Sequence, residues 1–188
     1  MRLLVTLAIL FFNTLSQLPP NFENTFTPKD HIEEKGQAKG YYKVFIFLLT
    51  SVYFMAYYHL SYHINASLSF IEVILSILIL VGFSLRMWSY YTLHKYFTFN
   101  LAIKEDHKLI QTGPYKYLIH PSYTGQLLLL FSSILFFRQW IPALIVFYYA
   151  IFRYKERVQV EEQMMETQFG EEYRQYKKNR YQAIPFIY

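Results

Sequence analysis

Apolar residues of this chain form long runs, and polar segments separate them. Residues 1–18 form the first run, and Pro19-Pro20 predicts that its helix ends there. Residues 43–60 and 70–91 form two further runs, the second long enough to cross about 30 Å of hydrocarbon as a helix. These runs predict three membrane helices, with a polar surface loop over residues 19–42.

The C-terminal half has a different pattern. Residues 107–123 are polar and cationic, and the apolar runs 123–137 and 141–152 follow them. A 15-residue helix rises only about 22 Å, so these two runs predict a helical hairpin whose ends extend into protein or water. Residues 153–168 continue as a polar helix, which Gly170 ends, and a tyrosine-rich tail follows.

Composition favours a membrane protein. Hydrophobic residues make up 54% of the 188 residues and charged residues only 16%, with a mean hydropathy of +0.13. Soluble domains carry about a quarter charged residues. The predicted fold class is therefore an all-α multi-pass membrane bundle of about five transmembrane helices. Residues 1–98 would hold three of them, and residues 99–188 the catalytic region with its cofactor loop, hairpin, polar helix and tail.

The same composition excludes several functions. The chain has no cysteine, so it has no disulfide, thiolate metal site or cysteine nucleophile. Its net charge of +5 comes without a basic stripe interleaved with aromatics, so we expect no nucleic-acid partner. His59 and His63 are one helical turn apart, but zinc needs three or four ligands and no third candidate is nearby, so we expect no metal.

The cations predict the topology. Five helices would place Arg2 and Arg138 on one side, and the lysines of residues 29–39 and 95–116 together with all seven cations of residues 153–180 on the other. The positive-inside rule then puts the C-terminus in the cytoplasm. Within the third helix, Glu72 and Arg86 lie near the two ends, where each can reach an interface. Arg86 could instead face inward, since a charge inside a membrane helix indicates function, although snorkelling explains it better.

Two cytoplasmic segments could carry chemistry. Gly113-Pro114 makes a turn and His120-Pro121 starts a helix, whose free amides favour an anion. His107, Tyr115 and Tyr123 flank this helix start, although a capped loop with interfacial tyrosines explains them equally well. Arg157 and Glu161 are four residues apart on one helix face, and taken alone they are explained best as an exposed ion pair.

In these two segments the chain resembles the isoprenylcysteine carboxyl methyltransferase family. The matching residues are residues 107–110, Gly113-Pro114-Tyr115, residues 120–125, Arg157, Glu161-Glu162, residues 169–173, Tyr176 and residues 184–187. The resemblance implies a membrane enzyme that transfers a methyl group from S-adenosyl-L-methionine to the carboxylate of a prenylated cysteine.

The resemblance also implies roles for individual residues. Arg157 would hold the acceptor carboxylate, and Glu161 would act beside it. The methyl donor would be bound by His107, Lys108, Leu109, Ile110, Tyr115, His120, Pro121, Ser122, Tyr123 and Glu161. Two positions depart from the family: Ile119 stands where arginine is usual, and residues 98–106 are short and lack the family's glutamine.

Other functions fit parts of the pattern. A phospholipid amine N-methyltransferase would use the same donor without needing Arg157, and a sterol-reductase-like oxidoreductase would bind a nicotinamide cofactor. A non-catalytic membrane scaffold is the third alternative. We expect a lipophilic acceptor and the bilayer as partners, in the endoplasmic reticulum of a eukaryote or the plasma membrane of a prokaryote.

Overall fold

The computed structural model describes residues 1–17, 41–97 and 107–182, apart from the side chains of residues 41–45, 142 and 143. These residues form helices and turns, and no strand occurs among them apart from one isolated bridge between Leu118 and Tyr181. The all-α prediction is confirmed for this part of the chain. Six α-helices lie within the described ranges: α1 (Arg2–Leu15), α2 (Tyr41–His63), α3 (Phe70–Leu93), α4 (Pro121–Phe136), α5 (Trp140–Phe169) and α6 (Glu171–Lys178). Short 3-10 turns cover His94–Tyr96 and Gly113–Lys116.

One stretch of the described residues is long and apolar enough to cross a membrane. It is Phe70–Tyr96, which comprises α3 and the turn after it, whereas α1 and α4 are apolar but shorter. The number of five membrane helices stays a prediction. The polar loop predicted over residues 19–42 lies outside the described residues except for its last two positions.

The close crossing of α3 and α4 depends on two glycines. A Cβ atom on Gly82 would lie 2.7 Å from the backbone nitrogen of Leu129 and 2.8 Å from the backbone oxygen of Gly125. A Cβ atom on Gly125 would lie 2.7 Å from the backbone oxygen of Gly82. Side chains at these positions would separate the helices, so glycine permits direct backbone contact. The crossing brings Arg86 against the first turn of α4.

The chain after α4 turns back through residues 137–139 into α5. Tyr123, near the start of α4, contacts Glu161, near the end of α5, so the two helices are antiparallel. The apolar run 141–152 and the polar helix 153–168 form one continuous helix of 30 residues. The helix continues through the change in polarity at Arg153, in agreement with the prediction that residues 153–168 continue as a polar helix.

Helix α6 occupies a region where the sequence pattern predicted a tyrosine-rich tail. It follows Gly170, whose φ of +52° suits glycine and ends α5 as predicted. Glutamates occupy its first turn and lysines its last, in the arrangement that the helix dipole favours. Tyr173 and Tyr176 are both buried on its inner face. Eight residues give too short a periodic pattern for recognition from sequence.

Both charged residues of α3 are buried, which contradicts the snorkelling interpretation of Arg86 and agrees with its inward-facing alternative. Glu72 is 1% exposed and receives a bidentate contact from Arg2, at 2.6 and 3.0 Å, while Arg138 approaches it at 3.4 Å. Arg2 also donates to Nε2 of His59 at 2.9 Å. Arg86 is 5% exposed and points into the protein instead of snorkelling. Charges inside an apolar protein need partners, and these groups find theirs on neighbouring helices.

The contact of His59 with Arg2 also bears on the metal question. His59 and His63 stack at 5.0 Å between ring centres, and His59 is engaged by a guanidinium that would repel a cation. No cluster of three potential ligands occurs in the part of the chain that the structure describes. The expectation that this pair does not bind a metal remains a prediction.

Candidate functional site

The segment before α4 is held in place by the C-terminal part of the chain. The backbone amides of Ile119 and His120 donate to the carbonyls of Tyr181 and Gln182 at 2.9 and 3.1 Å. The hydroxyl of Tyr176 donates to two carbonyls of the same segment, at 3.0 and 3.3 Å. These bonds satisfy backbone groups that a loop would otherwise leave unpaired. Residues 107–123 therefore depend on α6 and on residues 181–182 for their conformation.

A cavity of about 130 Å³ lies between this segment, α3, α5 and α6. Nine of the eleven predicted site residues line it: His107, Leu109, Ile110, Tyr115, His120, Ser122, Tyr123, Arg157 and Glu161. Lys108 is exposed, and Pro121 is buried in the first turn of α4 without lining the cavity. The cavity is also lined by residues outside the predicted site: Arg86, Tyr90, Leu93, Tyr96, Phe97, Ile119, Met164, Met165, Tyr173 and Tyr176.

The polar end of the cavity is built around Tyr123. Nε of Arg157 donates to its hydroxyl at 2.8 Å, and the hydroxyl donates to Oε2 of Glu161 at 2.7 Å. Arg157 is only 8% exposed. The interpretation of Arg157 and Glu161 as an exposed surface pair is therefore wrong. Both charged groups are held with fixed orientation beside the cavity, and Tyr123 connects them.

Arg86 adds a second guanidinium to this end. Its Nη1 donates to the backbone oxygen and to Oγ of Ser122, at 3.2 and 3.1 Å, and its Nε donates to the carbonyl of Ser16 at 2.6 Å. The guanidinium also stacks over the ring of Tyr90, with 4.7 Å to the ring centre. The signal in the sequence was an arginine inside an apolar run, which is a functional indicator in membrane helices.

The other end of the cavity is apolar and aromatic. Ile119, Tyr173 and Tyr176 form a buried cluster, against which Leu109 and Met165 pack. The two tyrosine rings are nearly parallel, 5.9 Å apart. Ile119, where the family usually has arginine, is thus buried in a hydrophobic contact. Burial raises the pKa of Tyr176 to about 12 and that of Tyr173 further, so both hydroxyls remain protonated donors at neutral pH.

Glu162, next to Glu161, is 14% exposed and does not line the cavity. Its carboxylate contacts three different segments: His120 at 3.1 Å, Lys177 at 2.6 Å and Gln182 at 3.0 Å. Burial would raise its pKa, but the hydrogen bonds from His120 and Lys177 outweigh burial and lower the pKa to about 2. Glu162 therefore stays ionised and connects α5 to the start of α4 and to α6.

Known proteins resemble the chain in both sequence and fold. Protein-S-isoprenylcysteine O-methyltransferase B of Arabidopsis thaliana is 31% identical over 113 residues, 58% of this chain and 57% of that protein. A probable protein-S-isoprenylcysteine O-methyltransferase of Oryza sativa subsp. indica is 26% identical over 121 residues, 63% of each chain. The chain thus spans about three fifths of the length of these relatives.

The solved structure of the eukaryotic intramembrane Ras methyltransferase ICMT superposes with a TM-score of 0.63 at 20% identity. The superposition covers 98% of this chain and 63% of that one, and it shows a shared fold. The family model for isoprenylcysteine carboxyl methyltransferases matches residues 73–167, which is half of the chain and contains most of α3, the predicted donor segment and the Arg157–Glu161 pair. The protein therefore belongs to the isoprenylcysteine carboxyl methyltransferase (ICMT) family.

Proposed function

We propose that the protein is an integral membrane methyltransferase that transfers a methyl group from S-adenosyl-L-methionine to the carboxylate of a prenylated cysteine or a similar lipophilic acceptor. The observation that carries the proposal is the buried connection of Arg157, Tyr123 and Glu161 at the edge of one cavity. Family membership supports the same chemistry.

The residues that line the cavity fit the methyl donor. Its cationic amino group would find the carboxylate of Glu161, and its nucleoside would find the apolar and aromatic end formed by Leu109, Met165 and Tyr173. The neutral tyrosine rings near the polar end would tolerate a sulfonium, since ring faces attract cations. When bound, S-adenosyl-L-methionine supplies an already activated methyl group.

The chain's own task is then to position the acceptor. A carboxylate is ionised at neutral pH and needs no general base. Arg157, fixed through its Nε by the hydroxyl of Tyr123, would orient that carboxylate for in-line attack. Arg86 would add a second positive charge from α3. Both arginines are almost fully buried, so their charges are little screened by water and attract an anion strongly.

The proposed acceptor also fits the position of the cavity against the membrane. Arg86 and Tyr90 belong to α3, whose length and apolar composition suit a bilayer. A lipid chain would approach the cavity sideways from the bilayer, and the water-soluble donor from the side of α6. We place that side, with the C-terminus, in the cytoplasm, because the cations of residues 153–180 lie there.

The test is transfer of labelled methyl to a farnesylcysteine analogue by the purified protein in lipid nanodiscs. Arg157→Ala and Glu161→Ala should each reduce transfer by at least 100-fold. Arg174→Ala and Glu171→Ala serve as matched controls, because both side chains are more than 60% exposed on α6, and they should retain wild-type transfer. Wild-type protein that transfers no methyl to the analogue would refute the proposal.

A phospholipid amine as acceptor is a second outcome of the same assay. Such an acceptor must lose a proton and gains nothing from a cation that holds a carboxylate. Transfer to phosphatidylethanolamine that persists in Arg157→Ala would therefore assign the protein to amine methylation.

A further inference from the structure

Two stacked tyrosines in α6 use their hydroxyl groups differently. The hydroxyl of Tyr176 is bound by the protein, to the carbonyls of Tyr115 and Leu118. Tyr173 is 2% exposed, and the structure gives its hydroxyl no hydrogen-bond partner among the described residues. Tyr173 lines the cavity, and its hydroxyl is not among the fully enclosed side-chain atoms that lack a partner, so the hydroxyl is open to the cavity. A ligand in the cavity can therefore reach it and form the hydrogen bond that the protein does not supply.

The position of Tyr173 indicates which part of a ligand would do so. Along α5 the cavity-lining residues change from Arg157 and Glu161 to Met164 and Met165, over eight residues or about 12 Å of helix. Tyr173 belongs to the apolar end, in contact with Ile119 and Tyr176. A molecule with a charged amino-acid end and a flat heterocyclic end matches this change of character along the cavity.

Burial raises the pKa of Tyr173, and the negative charges of Glu162 and Glu161 raise it further. The hydroxyl therefore stays protonated at neutral pH. It is therefore a donor as well as an acceptor at neutral pH. The nitrogens and hydroxyls of a nucleoside offer partners for both roles, whereas an isoprenoid chain offers none.

We propose that the hydroxyl of Tyr173 hydrogen-bonds the nucleoside part of the methyl donor and is a specificity residue of the donor site. This inference rests on the proposed function. It makes α6 a part of the donor site and not only a support for residues 107–123.

The experiment compares Tyr173→Phe with Tyr176→Phe in the full chain, in detergent micelles. Binding of S-adenosylhomocysteine and of 5′-methylthioadenosine, which lacks the amino-acid end, is measured by calorimetry, and thermal stability is measured without ligand. Tyr173→Phe should weaken the binding of both ligands by the same factor, about 3- to 10-fold, and should leave the Tm unchanged. Tyr176→Phe should lower the Tm, because it removes bonds within the protein. Glu161→Gln should weaken the binding of S-adenosylhomocysteine and leave that of 5′-methylthioadenosine unchanged.

The outcomes separate this inference from the proposed function. If Tyr173→Phe binds S-adenosylhomocysteine as tightly as the wild type does, the inference is wrong and the proposed function still stands. If Tyr173→Phe binds S-adenosylhomocysteine more weakly but 5′-methylthioadenosine as tightly as the wild type does, the assignment to the nucleoside is wrong. A wild-type protein that binds neither ligand overturns the proposed function, and this inference with it.

Discussion

Glu162 should be one of the largest single contributors to the stability of the site region. Its carboxylate accepts hydrogen bonds from His120, Lys177 and Gln182, so it joins α5 to α4, α6 and the C-terminal segment. Glu162→Gln keeps the shape and removes the charge. We expect it to destabilise the folded protein at pH 7 and to loosen α6.

The magnitude follows from the pKa. A carboxyl whose pKa falls from 4.5 to about 2 on folding contributes about 3 kcal/mol at pH 7. Lys177 is 30% exposed, and solvent screening reduces the figure to about 2 kcal/mol. For a chain of this size that corresponds to a Tm lower by about 4–8 °C.

The same pKa fixes the dependence on pH. Because the folded-state pKa lies below the unfolded value, the contribution is fully present above about pH 5.5. It is lost as the pH falls through 4.5 towards about 2. The difference in Tm between wild type and Glu162→Gln should therefore be constant from pH 6 to 8 and shrink at pH 3.

The assay is thermal unfolding in detergent micelles, followed by circular dichroism. Glu171→Gln is the matched control, since its carboxylate is 64% exposed and lies 3.7 Å from Arg174, and its Tm should change by less than about 1 °C. If Glu162→Gln has the Tm of Glu171→Gln at pH 7, the three contacts of Glu162 do not stabilise the fold and the reasoning is wrong.

Two further predictions concern the helix packing. Gly82→Ala should cost about 1–3 kcal/mol in thermal unfolding, because the added carbon overlaps the backbone of α4, whereas Ser84→Ala on the exposed side of α3 should cost nothing measurable. Equal stability of the two variants would show that the α3–α4 crossing is not close. Glu72→Gln should cost about 3–5 kcal/mol in the same measurement, because it leaves Arg2 buried without a counter-charge. A loss below 1 kcal/mol would mean that water reaches Arg2.

Local patterns predicted much of the fold. Apolar runs located α1 to α4 to within a few residues, His120-Pro121 marked the start of α4 and Gly170 the end of α5. These signals are local, because hydrophobic periodicity, proline geometry and positive φ each depend on a few neighbouring residues. The order of motifs in residues 107–187 was sufficient to suggest the family.

Tertiary structure decided which side chains meet. Nothing local indicates that Arg86 and Ser122 are in contact, because the contact depends on two glycines that let α3 and α4 approach. The bridging of Arg157 and Glu161 by Tyr123 likewise depends on the fold of the hairpin. Arg157 and Glu161 have the spacing of an exposed ion pair, but the fold buries Arg157 and fixes both groups beside the cavity. The sequence by itself determined which chemistry the chain carries, whereas the packing of helices determined that this chemistry converges on one cavity, since contacts between distant residues leave no local pattern.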